Sequence, residues 1–266
     1  MSSPLDVSGT GKLRQIQENL MAYLRLFAGL PGMTLYDAES FWLVSNTSAP
    51  GNMILRTHFK ASCTEEPIDA MLEQIGQYSD HIDWLIFPDD QPADLGKRLE
   101  ARGMPGGPGG NWLWTDLTRL RAHPTMPDHF RVEQVRTDQM LSEWIRVSEA
   151  GFGSRLALFS KAYARHGYGP DAFSLHDIGY ADDTPVTSGT LVDAGGCATI
   201  YDVSTPPAFR HQGFGRALTH ALMQQIRNLG YADTWIWSSQ MAKSVYQKLG
   251  YIEVDFGVRE HSWHRR

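Results

Sequence analysis

Apolar residues recur at three- and four-residue steps from Lys12 to Leu30, through Leu13, Ile16, Leu20, Tyr23, Leu24 and Phe27. This period predicts an amphipathic helix that stops at Gly29-Leu30-Pro31-Gly32. Ser40–Ser45 and Met53–Phe59 read as strands. A second helical period covers Glu66 to Ser79, with Ile68, Met71, Leu72 and Ile75 on one side. A strand at Trp84–Phe87, a helix over Pro92–Arg102 and a strand at Trp112–Leu117 complete the first half. Gly103–Gly110 is dominated by Gly and Pro and reads as a loose connector.

Pro124 and Pro127, among short polar residues, place a boundary between Arg121 and His129 and predict domains of 1–124 and 129–266. The pattern then restarts. Phe130–Arg136 is a strand, Asp138–Ala150 and Leu156–Arg165 are helical, and Phe173–Tyr180, Val186–Val192 and Cys197–Ser204 are strands. A helix over Gly213–Leu229 buries Leu218, Leu222, Ile226 and Leu229. Strand Thr234–Ser238, helix Met241–Leu249 and strands Tyr251–Phe256 and Val258–Trp263 close the chain. The two halves end in the same strand–helix–strand order, and Lys97–Gly103 echoes Tyr246–Gly250, as in a duplicated domain. The class is α/β, a mixed central sheet flanked by helices.

A chain of 266 residues, 42% hydrophobic and 20% charged, can bury a core without staples or metal. Its 24 basic residues against 30 acidic ones leave a net charge of −6, without the basic footprint of a nucleic-acid binder, so no nucleic acid is expected. The two cysteines, Cys63 and Cys197, exclude a disulfide framework and a CxxC zinc pair, and read as reduced, buried thiols. The N-terminus carries no secretory pattern, and Leu20–Leu30 is too short to cross a bilayer. A cytoplasmic protein with no membrane partner is expected. His261 and His264 are read as residues of an exposed edge strand, and no metal is expected.

The chemistry concentrates where strand Cys197–Ser204 passes through Thr205–Phe209 into Arg210-His211-Gln212-Gly213-Phe214-Gly215-Arg216-Ala217. A helix start has unpaired N–H groups and the positive end of the macrodipole, which suit a phosphate or diphosphate. Gly213 and Gly215 let an anion approach the backbone, and Arg210 and Arg216 add charge that can fork onto phosphate oxygens. A bare strand-to-helix turn would use the same glycines. No P-loop string is present, and the dinucleotide fingerprint fails at Leu218 and, after Gly151-Phe152-Gly153, at Leu156.

Arg210-His211-Gln212-Gly213-Phe214-Gly215 resembles the [RQ]-x-x-G-x-[GA] motif of the GCN5-related N-acetyltransferase (GNAT) superfamily. Ser239 to Tyr251 is similar to that superfamily's N-x-x-A-x-x-L-Y-x-K-x-G-F string. The match covers about the last 140 residues. The first half resembles the same fold with its glycine turn lost, in a tandem arrangement.

The resemblance implies an acyltransferase that uses acetyl-CoA as co-substrate. The diphosphate would sit on the N–H groups of His211 to Ala217. Pantetheine would add to the strand edge at Val203, Ser204 and Thr205, where a backbone N–H would also polarise the thioester oxygen. An amine would attack directly, and Tyr246 would protonate the departing thiolate. The family's Asn is Ser239 here, still a competent N-cap.

No general base is assigned. Strand parity puts Thr199, Tyr201, Val203 and Thr205 on one face and turns Asp202 away. His176, Glu149, His261 and a water relay stay open. Trp235 and Trp237 alternate on one strand face and read as core. Tyr163, His166 and Tyr168 lie where the family's substrate-facing loop and second helix sit. The acceptor is expected to be a small-molecule amine, and the protein a monomer or homodimer. A non-catalytic acyl-CoA sensor and an aminoacyl-tRNA-dependent transferase are the alternatives.

Overall fold

The computed structural model describes residues 10–45, 52–59, 66–120, 126–153, 157–168, 172 and 174–265; Cys63, Leu156 and residues 121–125 lie outside them. The elements in chain order begin α1 (Thr10–Arg25), β1 (Met33–Asp37), β2 (Ser40–Ser45), β3 (Met53–Thr57), α2 (Glu66–Gly76) and β4 (His81–Ile86). Then come α3 (Leu95–Glu100), β5 (Gly106–Pro108), β6 (Asn111–Asp116), β7 (Phe130–Gln134), α4 (Asp138–Phe152) and α5 (Ala157–His166). Last are β8 (Ser174–Ala181), β9 (Thr184–Ala194), β10 (Cys197–Ser204), α6 (Phe214–Asn228), β11 (Asp233–Ser238), α7 (Lys243–Gln247), β12 (Ile252–Glu253) and β13 (Arg259–His264).

The chain divides into two compact units, Met1–Gly110 with Asp255–Arg266, and Asn111–Val254. This division differs from the boundary read between Arg121 and His129. β6, from the first half of the sequence, pairs antiparallel with β11 and β12, so it belongs to the second unit. β13, from the end of the chain, pairs with β4 and β5 and belongs to the first.

The first unit is a six-stranded sheet in the order β1-β2-β3-β4-β13-β5, with Ile68, Met71, Leu72 and Ile75 of α2 packed into a core with Trp42, Ile54 and Trp84. Pattern reading missed β1, whose Met33-Thr34-Leu35-Tyr36-Asp37 follows the turn that ends α1. Parallel β3 and β4 pair only at Met53 with Asp83 and Ile54 with Trp84. Beyond that, β3 bonds to a returning segment: Gln91 N–H donates to the Thr57 carbonyl (2.8 Å) and the Gln91 carbonyl accepts from Phe59 N–H (3.1 Å).

Two expectations in this unit are corrected. Gly103–Gly110 is no loose connector, since Gly106 to Pro108 form an antiparallel ladder with β13. Glycine is required there because a Cβ on Gly106 would lie 2.8 Å from His261 Cε1, and one on Gly109 2.7 Å from Val258 Cγ1. His261 is not on an exposed edge: β13 lies inside the sheet, and buried His261 places Nδ1 2.9 Å from the Met104 carbonyl oxygen.

The second unit contains an antiparallel sheet, β10-β9-β8-β7, and a three-stranded sheet, β11-β6-β12. Leu218, Leu222, Met223 and Ile226 of α6 share a core with Leu113, Leu191, Ala198, Ile200 and Ile236. Gly189 lets α6 come close, since a Cβ there would lie 3.0 Å from Leu222 Cδ1. Trp144 of α4 is buried, and its indole N–H donates to the Gly189 carbonyl (3.0 Å). Trp235 is buried against Trp112, which fits its reading as core, whereas Trp237 stacks on Trp112 at 5.2 Å but is only half-buried. Among the described residues β10 and β11 share no ladder. They are tied near one end by side chains, Thr234 Oγ1 donating to the Ala198 carbonyl (2.8 Å) and Thr199 Oγ1 to that of Trp235.

Candidate active site

β10 does not keep the alternation expected of it. Tyr201 pairs with Thr190 but the next pair is Ser204 with Ser188, so three steps on β10 answer two on β9. The extra residue is a bulge. Asp202 adopts φ 53°, a left-handed conformation that Asp tolerates better than most residues. Parity therefore fails at Asp202, whose carboxylate accepts a hydrogen bond through Oδ2 from the Tyr163 hydroxyl of α5. Val203 instead packs against the α6 core. Ser204 Oγ donates to the Ser148 carbonyl on α4 (3.2 Å). Thr187 Oγ1 donates to the Ser204 carbonyl (2.8 Å) and lies 3.0 Å from Thr205 Oγ1.

The turn from β10 into α6 is built on unusual backbone. His211 has φ 64° and Gly213, the N-cap, φ 90°. The first i→i−4 bond runs from Ala217 N–H to the Gly213 carbonyl (2.9 Å), so the N–H groups of Phe214, Gly215 and Arg216 precede the ladder. A Cβ on Gly215 would lie 3.1 Å from Thr205 Oγ1. These features fit a diphosphate, because the glycines keep side-chain atoms out of a cradle of backbone donors at a positive helix end.

Arg210, expected from its position to fork onto phosphate, is engaged within the turn. Its Nε donates to the Thr205 carbonyl (3.0 Å) and Nη2 to the Gly151 carbonyl (2.8 Å), so the guanidinium braces the turn. Arg216 Nη2 lies 3.9 Å from where a Gly213 Cβ would stand. Gln212 Nε2 donates to the Ala208 carbonyl (3.2 Å), and Phe214 stacks on Phe130 at 5.4 Å. His211 is exposed and Ala217 buried.

Tyr246, on α7, is buried with its ring edge-on to Tyr251 at 5.9 Å. Burial, and then the charge of Asp202, push its phenol up to about 12. The bulge and this phenol therefore lie within electrostatic reach of each other. Ser239 Oγ accepts from Ala242 N–H (3.3 Å) in the turn before α7, whose N-cap is Ala242 rather than Ser239.

The structure narrows the base candidates. His176 is buried, its Nδ1 2.9 Å from Thr190 Oγ1, and burial pushes it down to about 3, so it is neutral. His261 lies in the other unit. Glu149 sits in the last turn of α4, its carbonyl accepting from Gly153 N–H (2.7 Å). Tyr168 donates to Asp138 Oδ1 (3.1 Å), whereas Tyr163 reaches the bulge. Asp202 is the residue that parity reasoning set aside; a bulge is a register event between two strands and has no mark in one strand's own sequence.

Residues 178–262, which contain the bulge, the glycine turn and Tyr246, match the family profile described as "Acetyltransferase (GNAT) domain". That stretch is similar to a GNAT acetyltransferase domain. A 74-residue stretch is 35% identical to "Uncharacterized N-acetyltransferase ycf52" of Pyropia yezoensis, covering 28% of this chain and 42% of that relative. The chain thus spans less than half the length of that relative.

Solved structures share the fold over nearly the whole chain. A GCN5-related N-acetyltransferase from Kribbella flavida aligns over 96% of both chains at 16% identity, with a TM-score of 0.65. A tandem GNAT protein from the clavulanic acid biosynthesis pathway aligns over 96% of this chain and 94% of its own, at 14% identity and a TM-score of 0.56. Among the described residues no helix is long and apolar enough to cross a membrane, and no cluster of three or more His, Cys, Asp or Glu could hold a metal.

Proposed function

We propose that the Asn111–Val254 unit is an N-acetyltransferase that moves the acetyl group of acetyl-CoA to a primary amine on a small molecule. Three features of this unit carry the reading together: the bulge at Asp202, the left-handed Gly213 opening α6, and the buried phenol of Tyr246. Acetyl-CoA supplies an activated thioester.

The chain's own groups do the rest. The first N–H groups of α6 hold the diphosphate, and the edge of β10 turned from β9 offers its main chain to pantetheine. Backbone N–H groups of Val203 to Thr205 stabilise the charge that develops on the thioester oxygen. Asp202 accepts the proton released as the C–N bond forms. Tyr246 gives its own proton to sulfur as the C–S bond breaks. With its phenol pushed up to about 12, Tyr246 holds that proton at neutral pH, the state an acid requires.

The first unit is read as a degenerate repeat of the same fold. It has no glycine pair between Met53 and Ile68, and Gln91 uses the Thr57 and Phe59 main-chain groups that a pantetheine would need.

Titration calorimetry with acetyl-CoA and thiol release with a panel of primary amines test the reading. Binding in the micromolar range and thiol release with at least one amine are expected. Tyr246→Phe should lower kcat by roughly 100-fold and leave acetyl-CoA affinity nearly unchanged. Absence of binding at ~1 mM acetyl-CoA would end the proposal.

A further inference from the structure

The hydroxyl of Tyr163 has no packing reason to exist. Tyr163 is fully buried, its ring edge-on to Trp144 at 4.9 Å and to His176 at 4.4 Å. A Phe ring would fill the same space. The two supports are themselves fixed, Trp144 by its bond to the Gly189 carbonyl and His176 by Thr190 Oγ1. Trp144 comes from α4, Tyr163 from α5, His176 from β8 and Thr190 from β9, so four elements hold one ring still. Its O–H is delivered to a single half-buried carboxylate, on the one bulged residue of β10.

We propose that Tyr163 is the positioning residue of the acyl transfer. Its hydroxyl locks the Asp202 carboxylate in one orientation on the bulge, so that this carboxylate meets the proton leaving the attacking amine. The inference rests on the acetyltransferase reading above and adds the group that makes its base work. A carboxylate side chain can turn about two torsions. A hydrogen bond from a side chain that cannot itself move removes that freedom before substrate arrives. The proton balance is unchanged: nitrogen gives its proton to Asp202, Tyr246 gives its proton to sulfur, and Tyr163 keeps its own.

A double-mutant cycle tests this on the full-length chain, using acetyl-CoA, a panel of primary amines (a diamine, an amino sugar and an amino acid) and thiol release. If no amine turns over, basal hydrolysis of acetyl-CoA provides the rate, with water as the attacking group. Tyr163→Phe should lower kcat about 10-fold and leave acetyl-CoA affinity and melting temperature nearly unchanged, because the ring stack survives. Asp202→Asn should lower kcat further. Adding Tyr163→Phe to Asp202→Asn should then change nothing, since the hydroxyl acts only through the carboxylate.

Equal losses from Tyr163→Phe in both backgrounds would make Tyr163 a packing residue and overturn the proposal. A fully active Asp202→Asn variant would overturn it too. Failure of acetyl-CoA to bind the unmutated protein, by contrast, would sink the acetyltransferase reading itself. If Tyr163→Phe melts early, Tyr163→Leu serves as the control: a loss confined to packing should follow melting temperature across both variants, and a positioning role should not.

Discussion

Arg210 Nη2 donates to the Gly151 carbonyl at 2.8 Å, joining the turn before α6 to the last turn of α4. The same guanidinium holds the Thr205 carbonyl through Nε, so one side chain ties the exit of β10 to a neighbouring helix. Arg210→Lys loses the two-pronged geometry and Arg210→Ala loses it entirely. Both should weaken acetyl-CoA binding, Ala by roughly 10-fold or more, as expected for loss of hydrogen bonds from a charged donor. Calorimetry checks the affinity, and a smaller change in kcat than in KM would distinguish bracing from chemistry.

At Gly213 the constraint is conformational. Its φ of 90° lies where L side chains are strained, and a branched side chain adds bulk where an anion must approach. Gly213→Val should abolish measurable acetyl-CoA binding while the protein still gives a cooperative melt. Gly213→Ala should fall between the two.

The first unit should take up no coenzyme. Gln91 already pairs with Thr57 and Phe59 along β3, and Asp90 Oδ1 accepts from Thr57 N–H (3.2 Å). Calorimetry should therefore return one acetyl-CoA per chain, and Gly213→Val should reduce that to none. A stoichiometry of two would show that the segment carrying Gln91 gives way.

Asp90 sets a pH dependence of stability in that unit. Its carboxylate also accepts from Phe87 N–H (3.0 Å) and Gln17 Nε2 (3.3 Å), yet burial outweighs these bonds and pushes it up from 3.8 to about 7. A carboxyl raised in the folded state is fully stabilising below its unfolded pKa and loses that contribution as pH rises. The loss should run from about pH 4 to 7 and amount to at most roughly 4 kcal/mol. Asp90→Asn should flatten this component. It should also cost about 1–3 kcal/mol at low pH, because an amide cannot accept from all of the same N–H groups. Denaturant melts of both proteins from pH 4 to 8 measure the difference.

Much of the second unit is legible in the chain. The period of Leu218, Leu222 and Ile226 marks α6, although Leu229, read on the same face, caps the helix and is exposed, and the Gly213–Gly215 pair marks its start. Tyr246 follows from a string of spaced residues, and its burial fits an acid that stays protonated. What could not be read are events between strands. The bulge that swings Asp202 toward Tyr163 depends on how β10 registers against β9, and parity assumes a regular ladder. The Gly106–Gly110 run looks like a hinge until β13 is beside it, because its glycines answer a neighbour about 150 residues away. Likewise Arg210 carries the expected charge, but only the fold shows that two carbonyls claim it.

The exchange of β6 and β13 makes this chain a poor subject for dissection. A fragment ending near residue 125 keeps a strand its own sheet cannot use and lacks the one that should sit between β4 and β5. Its complement starts without the central member of β11-β6-β12. Each piece would display bare backbone donors and acceptors along opened edges, the surface on which unrelated copies stack. Cloning the halves separately should thus yield inclusion bodies, and restoring solubility would require grafting Asn111–Asp116 and Arg259–His264 back to the partners they serve.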